Sequence, residues 1–211
     1  MSYFLFDNLI VSRETIKHLE RYEALVKKWS KSINLISQGT RDGIWDRHIL
    51  DSAQLYINLP PKCNVWIDLG SGAGFPGLVI SILAKQNHPC LHVYLIESDK
   101  RKSVFLRNVI QELSLQATVV NERIENVNLP FADIVSARAL TSLIGLLDYA
   151  YPHLRADGTC LFQKGVNWEK EVVEAENNWS FDLQVINSKT QIGAVTLHLG
   201  DIKRGLSECK N

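Results

Sequence analysis

The chain has no excess of either charge: its 211 residues carry 23 Lys and Arg against 23 Asp and Glu. Bulk electrostatics neither attracts nor repels a polyanion, so a nucleic-acid partner must be met by a local patch. Cysteine is scarce and scattered, at Cys63, Cys90, Cys160 and Cys209, with no C-x-x-C pair. That spacing argues against a zinc site, so no metal is expected, and it fits unpaired thiols in a reducing compartment. No apolar run approaches the roughly 20 residues that cross a bilayer. The opening Tyr3-Phe4-Leu5-Phe6 is short and has no basic stretch before it, unlike a secretory signal. The expected location is cytoplasmic, with no membrane partner. Internal repeats and low-complexity segments are also missing, which leaves one large domain, or one domain with a helical extension.

What the chain does have is glycine concentrated in one place. Asp68-Leu69-Gly70-Ser71-Gly72-Ala73-Gly74-Phe75-Pro76-Gly77 places four glycines within eight residues. The run follows the apolar Val65-Trp66-Ile67 and precedes the apolar Leu78–Ala84, which predicts a buried strand, a turn and a helix. Glycines strip the turn of side chains, so a ligand can approach the backbone closely. The free N–H groups of the helix start face the same place, and Pro76 suits a first helical position.

The spacing of apolar residues organises the remainder. Ile16, Leu19, Tyr22, Val26, Trp29 and Ile33 predict a helix from Ser12, its N-cap, to about Ile33. A second helix is expected after Thr40, with Ile44, Trp45, Ile49 and Ala53 on one stripe, ended by Pro60-Pro61. Residues 1–60 thus read as a helical extension packed on a core of residues 61–211. In that core, strands are expected at 65–69, 91–96, 117–121, 132–137 and 158–163. Helices are expected at 75–85, 99–113 (capped by Ser98), 141–151 and 168–177. Such alternation implies an α/β fold with a mostly parallel sheet and helices on both faces. Residues 181–187 and 194–199 alternate apolar and polar positions with no helix between them, an antiparallel hairpin at the sheet edge.

In an open α/β sheet the ligand binds beyond the carboxyl ends of the strands. The residues there are the glycines, Glu97, the stretch Asn121–Glu125, and Ser136-Ala137-Arg138. Gly72, Gly74 and Gly77 satisfy G-x-G-x-x-G, with Glu97 about 20 residues further on, so an NAD-binding oxidoreductase or nucleotide-binding module is one reading. Against it stand the closing hairpin in place of a second βαβαβ half, and Asp68, an acid that would repel a pyrophosphate. S-adenosyl-L-methionine has no phosphates, and its two ribose hydroxyls suit an acid such as Glu97. Asp68 would then either favour the cationic cofactor or simply organise the turn.

The glycine run with its Phe75-Pro76-Gly77 tail resembles motif I of the bacterial small-subunit rRNA guanine-N7 methyltransferases, also called the glucose-inhibited division protein B family. Collinear segments extend the resemblance: Trp29–Leu35, Arg47-His48-Ile49-Leu50-Asp51-Ser52, Lys100-Arg101-Lys102, Phe105-Leu106-Arg107, Ser136–Ala139 and Lys164-Gly165. The resemblance implies a Rossmann-like, seven-stranded class I methyltransferase that moves a methyl group from S-adenosyl-L-methionine to N7 of one guanosine in 16S rRNA. It implies cofactor contacts from Gly70, Gly72, Gly74, Phe75, Glu97, Ile124, Glu125 and Arg138, with Asn126 where the family has a second acid. Arg138 would also position the substrate. Methyl transfer to another substrate on the same fold remains open.

Guanine N7 carries a free lone pair, so the reaction needs alignment rather than a general base. Lys100, Arg101, Lys102 and Arg107 put positive charge on one helix beside the cofactor edge, and Lys164 and His48 are further RNA-binding candidates. Phosphate contacts of this kind give sequence-independent affinity. With a neutral total, the expected partner is 16S rRNA within the small ribosomal subunit or an assembly intermediate.

Overall fold

A computed structural model describes residues 2–6, 9–37, 39, 43–57, 59–60 and 62–205. Thr40, Pro61 and Cys209 lie outside the described residues. The chain opens with a two-stranded antiparallel hairpin, β1 (Ser2–Phe6) and β2 (Leu9–Ser12). The expectation of a purely helical first layer is corrected at this point. Helix α1 (Arg13–Trp29) follows, and the Ser12 hydroxyl accepts from the Thr15 N–H, as the capping reading requires. A π-helical turn (Trp45–Leu50) leads into α2 (Asp51–Tyr56).

The core alternates β3 (Val65–Leu69), α3 (Gly77–Asn87), β4 (His92–Ile96), α4 (Lys100–Leu113), β5 (Ala117–Val120) and β6 (Ala132–Arg138). It continues with α5 (Leu143–Ala150), β7 (Leu154–Lys164), α6 (Trp168–Glu176), β8 (Trp179–Asn187) and β9 (Val195–Arg204). The seven-stranded sheet has the order β5-β4-β3-β6-β7-β9-β8. Strands β5, β4, β3, β6 and β7 pair in parallel, while β9 runs antiparallel between β7 and β8. The central strands read as continuous apolar runs because helices cover both faces.

Two apolar cores result. One joins α1, α2, α3 and α4 to a sheet face through Leu19, Tyr22, Leu25, Val79, Phe105 and Leu106. The other packs α5 and α6 on the opposite face through Leu143, Leu146, Phe162, Ala175 and Trp179. Several element ends differ from expectation for local reasons. Asp99 rather than Ser98 caps α4, its carboxylate accepting from the N–H groups of Arg101 and Lys102 at 2.7 and 3.2 Å. Pro76 precedes α3 instead of starting it. Strand β7 begins at Leu154 because Arg155 pairs with Asp133 of β6 and carries the polar segment into the sheet. No helix among the described residues is long and apolar enough to cross a membrane.

Candidate functional site

The carboxyl ends of β3, β4 and β6 meet beneath the glycine turn. Gly70, Gly72 and Gly74 have φ of 61°, 58° and 95°, a region that L side chains avoid. Gly77 needs to be glycine for space: a Cβ there would come within 2.8 Å of the Asp68 carboxylate. Asp68 is wholly enclosed. Its Oδ1 accepts from the Ser136 hydroxyl at 2.7 Å and its Oδ2 from the Gly77 N–H at 3.3 Å, while Ser136 accepts from Trp66 Nε1 at 2.8 Å. Burial pushes the Asp68 carboxyl up to about 6, against the pull of its hydrogen bonds and of Arg138. Of the two roles open to Asp68, the geometry selects the organiser of the turn; it is not an exposed partner for a cation.

Glu97, by contrast, lines a cleft. It is held by two backbone donors, Gly72 N–H to Oε2 at 2.9 Å and Asp99 N–H to Oε1 at 2.7 Å. A carboxylate oxygen accepts more than one bond, so each retains capacity for a hydroxyl. Gly70, Gly72, Glu97, Lys102, Ile124 and Glu125 line one cleft of about 270 Å³, closed on the far side by Ala139, Leu140 and Tyr149. Glu125 Oε1 accepts from the Tyr149 hydroxyl at 3.1 Å, an interaction the sequence reading missed.

Arg138, Phe75, His48 and Gly74 stand elsewhere. Phe75 is buried, its ring 5.2 Å from Tyr22 and stacked 5.0 Å from His48, with the Arg138 guanidinium 5.2 Å over it. Gly74 lies against Leu78 and the Tyr22 hydroxyl, which donates to the Ala73 carbonyl at 2.7 Å and ties α1 to the turn. These two residues support the turn from behind and do not line the cleft. Arg138 donates to the Arg47 carbonyl at 3.3 Å and opens into a second cleft, of about 410 Å³, shared with Arg47, His48, Asp51, Gln163 and Lys164. Burial lowers the Arg138 guanidinium from its ordinary value, while Asp51, Tyr22 and Asp68 hold it up. Burial, then Arg138 and Arg47, depress the His48 imidazole to about 4, so it is neutral at physiological pH. Ala139 lines both clefts and separates them.

The second cleft is built by residues far apart in sequence. Asp51 Oδ2 accepts from Gln163 Nε2 at 2.6 Å, and its Oδ1 accepts from the Ser188 and Thr190 hydroxyls at 2.8 and 3.0 Å. His48 and Asp51 do not bond each other; Asp51 links the helical layer to the sheet. The Lys164 ammonium donates to Glu171 at 2.6 Å and to the Thr141 carbonyl at 2.9 Å. The ammonium is thus held at the rim of the second cleft. Of the other cationic candidates, Lys100, Arg101 and Arg107 are exposed on α4, and Lys102 is half-buried at the first cleft.

The sheet order, the glycine turn and the acid after the second core strand define the fold class of S-adenosylmethionine-dependent methyltransferases. Solved structures show the same architecture: M. jannaschii TYW2 in complex with AdoMet aligns with a TM-score of 0.58 at 17% identity, over 83% of this chain and 80% of that one. A SAM-dependent methyltransferase from Aquifex aeolicus aligns with a TM-score of 0.59 at 13% identity, over 84% and 97%. The family model described as rRNA small subunit methyltransferase G matches residues 15–199. A Ribosomal RNA small subunit methyltransferase G from Ruegeria pomeroyi is 45% identical over 94% of this chain and 97% of its own length. One from Cereibacter sphaeroides is 47% identical over 90% and 93%. The chain belongs to the rRNA small subunit methyltransferase G family.

Proposed function

We propose that the chain transfers a methyl group from S-adenosylmethionine to N7 of one guanosine in 16S rRNA. The observation that carries this reading is the pair of clefts on either side of Ala139. One suits the cofactor: a positive-φ turn open to a ligand's approach and a carboxylate with spare lone pairs for ribose hydroxyls. The other is lined by two arginines, as an RNA nucleotide requires.

When bound, the cofactor supplies an electrophilic methyl on sulfur. The residues of this chain supply binding and alignment. Glu97, Gly70 and Gly72 hold the nucleoside end, with Ile124 and Glu125 forming the wall beside it. Arg138 grips a phosphate or a base edge. A fixed cation directly behind the base would oppose the positive charge that N7 methylation creates, so Arg138 works from the side. His48, kept neutral by burial and by its two arginine neighbours, adds no second charge there. No side chain is needed to remove a proton, because N7 has none. The exposed cations of α4 hold the RNA backbone near the cofactor cleft, and the small ribosomal subunit or an assembly intermediate presents the nucleotide.

Mass spectrometry of 16S rRNA from cells with and without this protein tests the reading. One 7-methylguanosine should vanish with the gene and return with it. Its persistence in the deletion strain would overturn the substrate assignment.

A further inference from the structure

The rim of the second cleft carries an apolar tip. Ile192, in the turn between β8 and β9, is 100% exposed, and Val166, after β7, is 71% exposed. The two segments touch: any side chain on Gly193 would come within 2.8 Å of Val166 Cγ1. Gly193 itself has a φ of 77°. Both segments border the cleft, through Gly165 on one side and Gln191 and Ala194 on the other. A single exposed aliphatic residue is ordinary. A bare one on a turn fixed from several directions is less so. The Ser188 hydroxyl accepts from the N–H groups of Thr190 and Gln191 at 3.3 and 3.2 Å while donating to Asp51. The Ser188 N–H donates to the Ala194 carbonyl at 2.9 Å, and the Lys189 N–H donates to Gln54 Oε1 at 3.1 Å. The turn is thus pinned to α2 and closed on itself, with Ile192 at its apex.

An enzyme that acts on a base must draw that base out of its stack, which leaves a gap between the neighbours. Aliphatic side chains inserted between bases fill such gaps. We propose that Ile192, backed by Val166, is a wedge that enters the RNA stack as the target guanosine swings into the second cleft. The tip offers two side chains, far below the roughly 800 Å² per partner of a stable protein interface but the right size for one base step. Arg47, which lines the same cleft, is an exposed cation suited to a flanking phosphate. The inference rests on the rRNA reading above.

The test uses the full chain with S-adenosylmethionine and, as substrates, small subunits lacking the modification and naked 16S rRNA. Ile192→Ala should lower kcat/KM by about tenfold or more on whichever substrate the unsubstituted protein methylates, the scale of a lost stacking contact. Cofactor Kd and Tm should stay unchanged, and Ile192→Leu should restore most of the rate. An rRNA fragment with 2-aminopurine beside the guanosine should brighten on binding the unsubstituted protein and not the alanine variant. Equal kcat/KM for the two proteins would overturn the wedge alone. A loss confined to assembled subunits, with naked rRNA methylated as before, would assign the tip to a ribosomal protein and overturn it as well. Failure of the unsubstituted protein on both substrates would instead sink the rRNA reading and the wedge with it.

Discussion

The two clefts flank one residue, Ala139, yet they are built in opposite ways. The first is assembled from neighbours. Its glycine turn, its acid and its wall residues come from successive strand ends, and its main bonds are backbone N–H groups closing on Asp68 and Glu97. The second depends on side chains that reach across the molecule. Asp51 gathers Gln163 and Ser188, which stand 112 and 137 positions along the chain from it. A site made by the backbone tolerates many side-chain changes but few glycine changes; a site made by one carboxylate fails when that carboxylate is lost.

The largest expected effect breaks the second cleft. Asp51→Ala takes the carboxylate acceptor from the Gln54 and Gln163 amides and from the Ser188 and Thr190 hydroxyls, and should lower unfolding free energy by about 3 kcal/mol, the scale of lost bonds to a charged group. Urea denaturation measures it. If the contrast holds, calorimetry on the folded variant will give an unchanged cofactor Kd while rRNA methylation collapses; a matching loss of cofactor affinity would show that the two clefts are one unit. Next comes Glu97→Ala, which should weaken S-adenosylmethionine binding by about 2 kcal/mol and, because the Gly72 and Asp99 N–H groups lose their acceptor, lower stability by about 1 kcal/mol. An unaltered Kd would remove Glu97 from the cofactor cleft. A change confined to stability, about 2 kcal/mol, is expected for Trp66→Phe, which deletes the indole donor to Ser136 and leaves a cavity beside the smaller ring. Thermal unfolding at several pH values would register it.

The strands of the first cleft were legible because β3, β4 and β6 are short apolar runs between turn residues, buried on both faces. That Glu97 lines the first cleft was legible from its place after the second core strand. The second cleft left only the Arg47–Ser52 segment as a clue, since the spacing of His48 and Asp51 says nothing about Gln163 or Ser188. The N-terminal hairpin was missed because Tyr3–Phe6 and Leu9–Ser12 are too short to show a period of two beside a strong helical pattern. The π-helical turn escaped for a related reason: it shifts His48 and Asp51 relative to each other without altering the apolar stripe.

The smallest effect sharpens the contrast through pH. Asp68, raised to about 6, contributes stability that is full below its unfolded value of 3.8 and is lost as pH rises through 6. His48, lowered to about 4, contributes stability that is present above 6.5 and lost as pH falls from 6.5 toward 4. The two slopes oppose each other between pH 4 and 6. Carbon-13 NMR titration of the Asp68 carboxyl and of the His48 ring should therefore show midpoints displaced in opposite directions. Ordinary midpoints for both would refute the burial of these groups.

The Asp51 bridge also sets an order of events during synthesis. Every wall of the first cleft exists once Tyr149 has left the ribosome, whereas the second cleft waits for Val195. A chain emerging from its N-terminus has every residue of the first cleft while Asp51 still has no partners from β7 or from the turn that follows β8. The residues proposed to receive the RNA come together only when the last hairpin arrives.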